Sequence, residues 1–210
     1  EAARSDDLIA AELAKMALGW WELVKTEAIL ATVDRVRRGE ADCLPDLLGL
    51  IEMRLRMTRF KQFPKDLAPA LEECILGLDY SGASLPMVDL RLESNRILLY
   101  AAQVLAGQLH ARRKFVASGL AGRQERTRGE KLASDWRRQR GQTGIGQWHS
   151  SVELVVMALA SLANHATGVQ LQELASILLD KTLFGLAINS FQGTYGATQG
   201  PRLETAAEID

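Results

Sequence analysis

The stretch Ile97-Leu98-Leu99-Tyr100-Ala101-Ala102-Gln103-Val104-Leu105-Ala106 decides the fold. It is apolar nearly all round, and a helix without a polar face has to be covered on most sides. Residues 152–163, broken only by Glu153 and Ser161, and residues 174–188 read the same way. Three such segments predict an inner layer of apolar helices wrapped by amphipathic outer ones. Alternating strand patterns with tight-turn signals are nearly absent, so the fold class is all-α, built from helical hairpins.

The rest of the chain supplies the outer helices. Ser5-Asp6-Asp7 offers N-cap chemistry ahead of a long helical pattern. Ile9, Leu13, Met16, Trp20 and Val24 recur at three- and four-residue steps, and Arg37-Arg38-Gly39 closes the pattern. That length predicts a kink or break near Thr26. The adjacent Trp20 and Trp21 cannot face the same way, so one is expected in the core and the other outside it. A second helix is predicted over residues 45–57, with Pro45 in its first turn, and a short third over residues 71–78. Phe63-Pro64 and Pro69 mark the connection between them, and residues 80–86 read as a loop.

The 210 residues can form one large domain or two small ones, and the 47% hydrophobic content argues against disorder. The net charge of −1 gives the whole molecule no bias toward nucleic acid or membrane surfaces. The charge is unevenly spread. Residues 110–140 hold ten Lys or Arg against three Asp or Glu, a balance of +7, which leaves −8 for the remainder. The default for such a run is a solvated helix. Nucleic acid would want interleaved aromatics, and only Phe115 and Trp136 are present. No apolar run reaches the ~18 residues of a membrane span. Glu1-Ala-Ala-Arg4 leads into acidic residues, so no secretory signal is visible. The chain starts without Met and reads as one that can lack its native start, which leaves the compartment open. Cys43 and Cys74 read as unpaired thiols, two cysteines being too few for a disulfide framework. His110, His149 and His165 have no metal-ligand spacing, and no cofactor motif is present.

Three polar segments flank the apolar helices. Gln147-Trp148-His149-Ser150-Ser151 follows a Gly-rich turn and opens the second apolar segment. An imidazole there feels the positive end of the helix dipole and stays neutral, able to accept a proton. The plainer reading is a cap, with Ser150 or Ser151 bonding the first turn. Glu93-Ser94-Asn95-Arg96 opens the first apolar segment, with Ser94 as its plain N-cap. Residues 189–200 close the third on a Gly-rich turn, where Tyr195 is either an acid or base or a packing residue.

The order of these segments carries a resemblance. Residues 93–109, ESNRILLYAAQVLAGQL, resemble a block in large bacterial proteins that runs E-N-H, an apolar stretch, and L-A-G-Q-L. Gly122-Arg123-Gln124 and then Gly144-Ile145-Gly146-Gln147-Trp148-His149-Ser150 resemble the G-R-Q and G-F-S-E-W-H-S blocks that follow. Residues 183–200, LFGLAINSFQGTYGATQG, resemble the closing L-F-D-L-A-L-N and G-V-F-G-S-T-H-G. These proteins look like α/α-toroid proteins in the broad style of the heparinase II/III and alginate lyase group. The resemblance covers about residues 90–202.

The resemblance implies a ring of helical hairpins, here a partial toroid, with a carbohydrate cleft where inner-helix ends meet. Residues 1–210 are then one α-helical domain or a fragment of a larger toroid, whose remaining part comes from a longer chain or another subunit. The implied activity is that of a lyase or glycoside hydrolase on acidic polysaccharide. His149 and Tyr195 would be its acid–base groups. Glu93, Asn95, Arg96, Arg123, Gln124, Gln147, Trp148 and Gln199 would contact substrate, with Arg123, Gln124 or Arg96 holding a carboxylate. Asn95, Gln147 and Gln199 stand where the pattern has His, Glu and His, and neutral amides exchange no protons near neutral pH. The alternative is therefore a weakened relative, or a non-catalytic helical module that binds glycan or protein.

Overall fold

The computed structural model describes residues 8–83, 85–143, 151–191 and 194–195. Among them the regular elements are helices, together with one short antiparallel strand pair. The helices are α1 (Leu8–Ala17), α2 (Thr26–Arg38), α3 (Cys43–Met57), α4 (Leu67–Gly77), α5 (Glu93–Leu109), α6 (Gly122–Thr143), α7 (Val152–His165) and α8 (Val169–Ile188). Strands β1 (Ser190–Phe191) and β2 (Thr194–Tyr195) pair Ser190 with Tyr195 and Phe191 with Thr194.

The first helical pattern breaks earlier than expected. α1 ends at Ala17, Gly19 takes a positive φ of 77°, and a 3-10 turn over Trp21–Leu23 precedes α2. Glu12 fixes the break. Its buried carboxylate accepts from the Lys25 backbone N–H at 2.8 Å, at the head of α2, and from Lys15 Nζ at 2.6 Å. Trp21 packs against the core while Trp20 stays exposed, as adjacent side chains must. The cap proposed at Ser5-Asp6-Asp7 lies outside the described residues. At the far end of α2, Gly39 adopts the left-handed cap with its N–H on Arg35 and Val36 carbonyls. α4 starts at Leu67, ahead of the expected Leu71, because Pro69 sits in its first turn, where a missing N–H costs nothing.

The inner layer differs from the expected one. α5 is buried from Ile97 through Gly107 apart from Tyr100, and it packs on α3, α6 and α7. α3 is its equal, with Leu44, Leu47, Leu48, Leu50, Ile51 and Met53 all buried. α7 buries one face only, through Val155, Ala158, Leu159 and Leu162. α8 packs chiefly on α7 and leaves Ile177, Phe184 and Ile188 more than half exposed. Periodicity marked α8 as a helix needing cover, but among the described residues only one of its faces receives it.

Helix directions set what shares an end. α5 and α6 are antiparallel: Gln103 on α5 bonds Glu125 early in α6. α7 runs parallel to α5, since Gln108 Nε2 near the end of α5 donates to the His165 carbonyl at the end of α7 at 2.8 Å. α8 returns antiparallel to α7, with Gln172 Nε2 donating to the Ala163 carbonyl at 2.9 Å. The starts of α5 and α7 and the finish of α8 therefore lie at one end of this four-helix unit. The finish of α5 and the start of α6 lie at the other.

Candidate functional site

The shared end of α5, α7 and α8 carries the polar residues singled out in the sequence. Glu93 and Arg96 form a half-exposed ion pair at 3.3 Å, one helical turn apart. The Arg96 Nε is buried and has no hydrogen-bond partner. Asn95 Nδ2 donates to the Asp89 carbonyl at 3.0 Å, so this amide ties the helix start to the preceding loop. Asp89 itself clasps Arg91 through both carboxylate oxygens, and this hydrogen bonding holds its carboxyl down at about 2. Ser94 does not cap α5. Leu92 occupies the N-cap position without a side-chain bond, and Ser94 is buried inside the first turn.

Ser151 stands at the N-cap of α7 in the left-handed region, φ 61° and ψ 39°, and makes no side-chain capping bond. A non-glycine residue costs about 1 kcal/mol there, so the start of α7 is held in a strained conformation. His149, with Gln147, Trp148 and Ser150, lies outside the described residues, as does Gln199. For Tyr195 the backbone alone is described, paired with Ser190 just past α8.

Arg123 and Gln124 do not join this end. Gln124 Oε1 accepts from the Ala121 N–H at 2.9 Å, and the Arg123 N–H donates to the Ala111 carbonyl at 3.0 Å, beside the finish of α5. The length of α5, roughly 25 Å at 1.5 Å per residue, separates them from Glu93. A carboxylate held by both Arg96 and Arg123 is thereby excluded. The resemblance implies substrate contact at Arg123 and Gln124, and sequence order alone does not show that the α5–α6 hairpin sends them away from Glu93.

The basic segment behaves as a solvated helix face. Arg126 pairs with Glu130 at 2.7 Å and Arg138 with Asp135 at 3.3 Å. Phe115 and Trp136, the aromatics that a nucleic acid would need, are buried in the core. Arg137 is buried too, and burial lowers its pKa. Among the described residues no group of His, Cys, Asp and Glu could hold a metal ion, and no helix is long and apolar enough to cross a membrane.

A second polar feature escaped the sequence reading. Two adjoining grooves of about 500 and 550 Å³ share Arg56 from α3 and His165 from α7. One continues over Arg59 and Phe60, the other over Glu52, Ser161 and Asn164. The Arg59 guanidinium sits 5.2 Å from the Phe60 ring centre, and Phe60 meets Trp21 at 5.7 Å. Glu52 accepts a hydrogen bond from Ser161 Oγ and pairs with Arg56 at 3.6 Å. The available signal was the run Arg54, Arg56, Arg59, Lys61 and Lys65, with aromatics at Phe60 and Phe63 and no acid among them.

No family model, no curated protein and no solved structure matches this chain.

Proposed function

We propose that this chain is a polysaccharide-active domain of the lyase or glycoside hydrolase type, acting on acidic glycans as part of a partial α/α toroid. The observation that carries the reading is the common end of α5, α7 and α8. It gathers Glu93 and Arg96, Ser151, and the backbone of Tyr195, three segments far apart in sequence. His149, two residues ahead of Ser151, serves as base or charge neutraliser, and Tyr195 as the second acid or base. Arg96 supplies the guanidinium for a uronate carboxylate. Gln147, Trp148 and Gln199 complete the substrate contacts. The uncovered Ile177, Phe184 and Ile188 suit a ring in which another hairpin, from a longer chain or another subunit, packs on α8.

The reading is tested by reducing-sugar release and unsaturated-product formation on a panel of uronate polymers. Turnover that falls at least 100-fold in His149→Ala and in Tyr195→Phe supports it, since positioned acid–base groups contribute about 10²–10⁴. Full activity in His149→Ala refutes the assignment.

One observation favours a second reading, a non-catalytic module that binds glycan or protein. Asn95 spends its amide on the Asp89 carbonyl and acts as a structural tie. With amides also at Gln147 and Gln199, the end is poor in proton-exchanging groups. Saturable glycan binding with no product on any polymer would select this reading.

A further inference from the structure

We propose that the connection between α1 and α2, together with the one between α3 and α4, docks on the surface of a lipid bilayer that contains anionic lipid. The inference stands on residues 18–25 and 58–66 and does not rest on the catalytic reading.

Apolar tips are the first ground. Leu18, Trp20 and Leu23 are more than half exposed, and Phe60 is 41% exposed. All four lie on the two connections, outside α1 to α4. The connections touch, since Trp21 meets Phe60 at 5.7 Å and a groove lined by residues 19–23 also takes in Gln62. Tips placed between helices can enter a bilayer while the helices stay packed. Four side chains fall well short of the roughly 800 Å² that each partner gives to a stable protein interface. Trp20 joins an apolar ring to a polar N–H, the kind of side chain that settles at headgroup level.

Charge is the second. Lys25, Arg59, Lys61 and Lys65 are exposed and have no carboxylate partner among the described residues. The two connections hold two acids, Glu22 and Asp66, and Asp66 stands at the N-cap position of α4. The net charge of −1 on the whole chain hides this local excess of cations. Each Lys or Arg close to an anionic surface strengthens binding about fivefold.

The backbone favours lipid over a protein partner. Below the headgroups nothing offers a bond to a backbone N–H, so a segment that dips there must satisfy its own. The Leu18 N–H donates to the Ala14 carbonyl at 2.9 Å and the Trp20 N–H to the Lys15 carbonyl at 2.9 Å. The Leu23 N–H donates to the Trp20 carbonyl and the Phe60 N–H to the Met57 carbonyl, both at 3.0 Å. A protein partner imposes no such requirement. Docking of this kind uses a surface patch and needs no spanning helix.

The experiment mixes the full chain with vesicles of phosphatidylcholine and phosphatidylserine at about three to one, and with vesicles of phosphatidylcholine alone, and reads binding by sedimentation. The expected result is binding to the anionic vesicles at least tenfold tighter than to the neutral ones. It should weaken at least tenfold in Trp20→Ser and in Lys61→Gln/Lys65→Gln, at unchanged melting temperature. Lipid brominated in its acyl chains should quench the tryptophan fluorescence of the native chain, and Trp20→Phe should bind yet lose that quenching. Several results overturn the inference: no binding to the anionic vesicles, full binding by Trp20→Ser, or quenching that persists in Trp20→Phe. Binding lost in Phe184→Ser but kept in Trp20→Ser overturns it too, by moving the contact to α8. A dimer that Trp20→Ser dissolves, with no vesicle binding, overturns it and makes the patch a protein contact.

Discussion

Gly107 and Gly122 meet back to back where α5 crosses α6. A Cβ on Gly107 would lie 2.6 Å from the Gly122 carbonyl oxygen and 2.5 Å from the Arg126 nitrogen. One on Gly122 would lie 2.2 Å from the His110 carbonyl oxygen. These contacts are with backbone, which cannot swing away as a side chain can. Gly107→Ala and Gly122→Ala should each destabilise the fold by about 3 kcal/mol, the upper range for overpacking. Gly77, near nothing within 4 Å, is the control, and Gly77→Ala should be neutral or slightly stabilising. Urea unfolding followed by circular dichroism measures all three.

The same crossing holds a buried polar pair. Gln103 Nε2 donates to Glu125 Oε2 at 2.6 Å, and both side chains are almost fully buried. Gln103→Leu fills the space but strips the carboxylate of this donor, which should cost about 2–3 kcal/mol. The double variant Gln103→Leu/Glu125→Leu should recover part of that loss, because it leaves no buried charge without a donor. A double-mutant cycle on unfolding free energies reads the difference.

His110 gives the fold an acid sensitivity. Burial lowers its pKa below 6.5, with Arg54 and Arg113 acting in the same direction and Glu72 against it. The unfolded imidazole takes a proton near 6.5 while the folded one resists, so the unfolded state binds more protons as pH drops. Stability is complete above 6.5 and is lost progressively below it. The urea midpoint should therefore fall more between pH 7.5 and 5.5 in the native protein than in His110→Gln.

Both thiols are buried, and desolvation raises each to about 11. A thiol must ionise to react, so a disulfide reagent at pH 8 should modify neither Cys43 nor Cys74 in the folded chain. In denaturant it should modify both within minutes. Rapid titration of one thiol under native conditions would show that its helix opens locally.

Helix positions were largely legible in the sequence, because apolar spacing and terminal residues act locally. The 93–109 segment became α5 with the same bounds. The layer order was less legible. Periodicity states that a helix needs cover without saying what provides it, so in the sequence α3 reads as an amphipathic outer helix and α8 as an inner one. The triplets Leu105-Ala106-Gly107 and Leu120-Ala121-Gly122 are alike in the sequence, but only the fold brings their glycines together. The site was split in the same way. Glu93 and Arg96 stood out beside their helix start, whereas Arg56 gains its setting from His165, far away in sequence.

The proposed acid–base role requires His149 to share a helix end with Glu93. Its direct test is the distance between spin labels on cysteines placed at positions 93 and 149, the native thiols being too buried to label. A separation well short of the roughly 25 Å length of α5 is expected. A label at 149 that lies nearer to one at 123 than to the one at 93 would contradict the account.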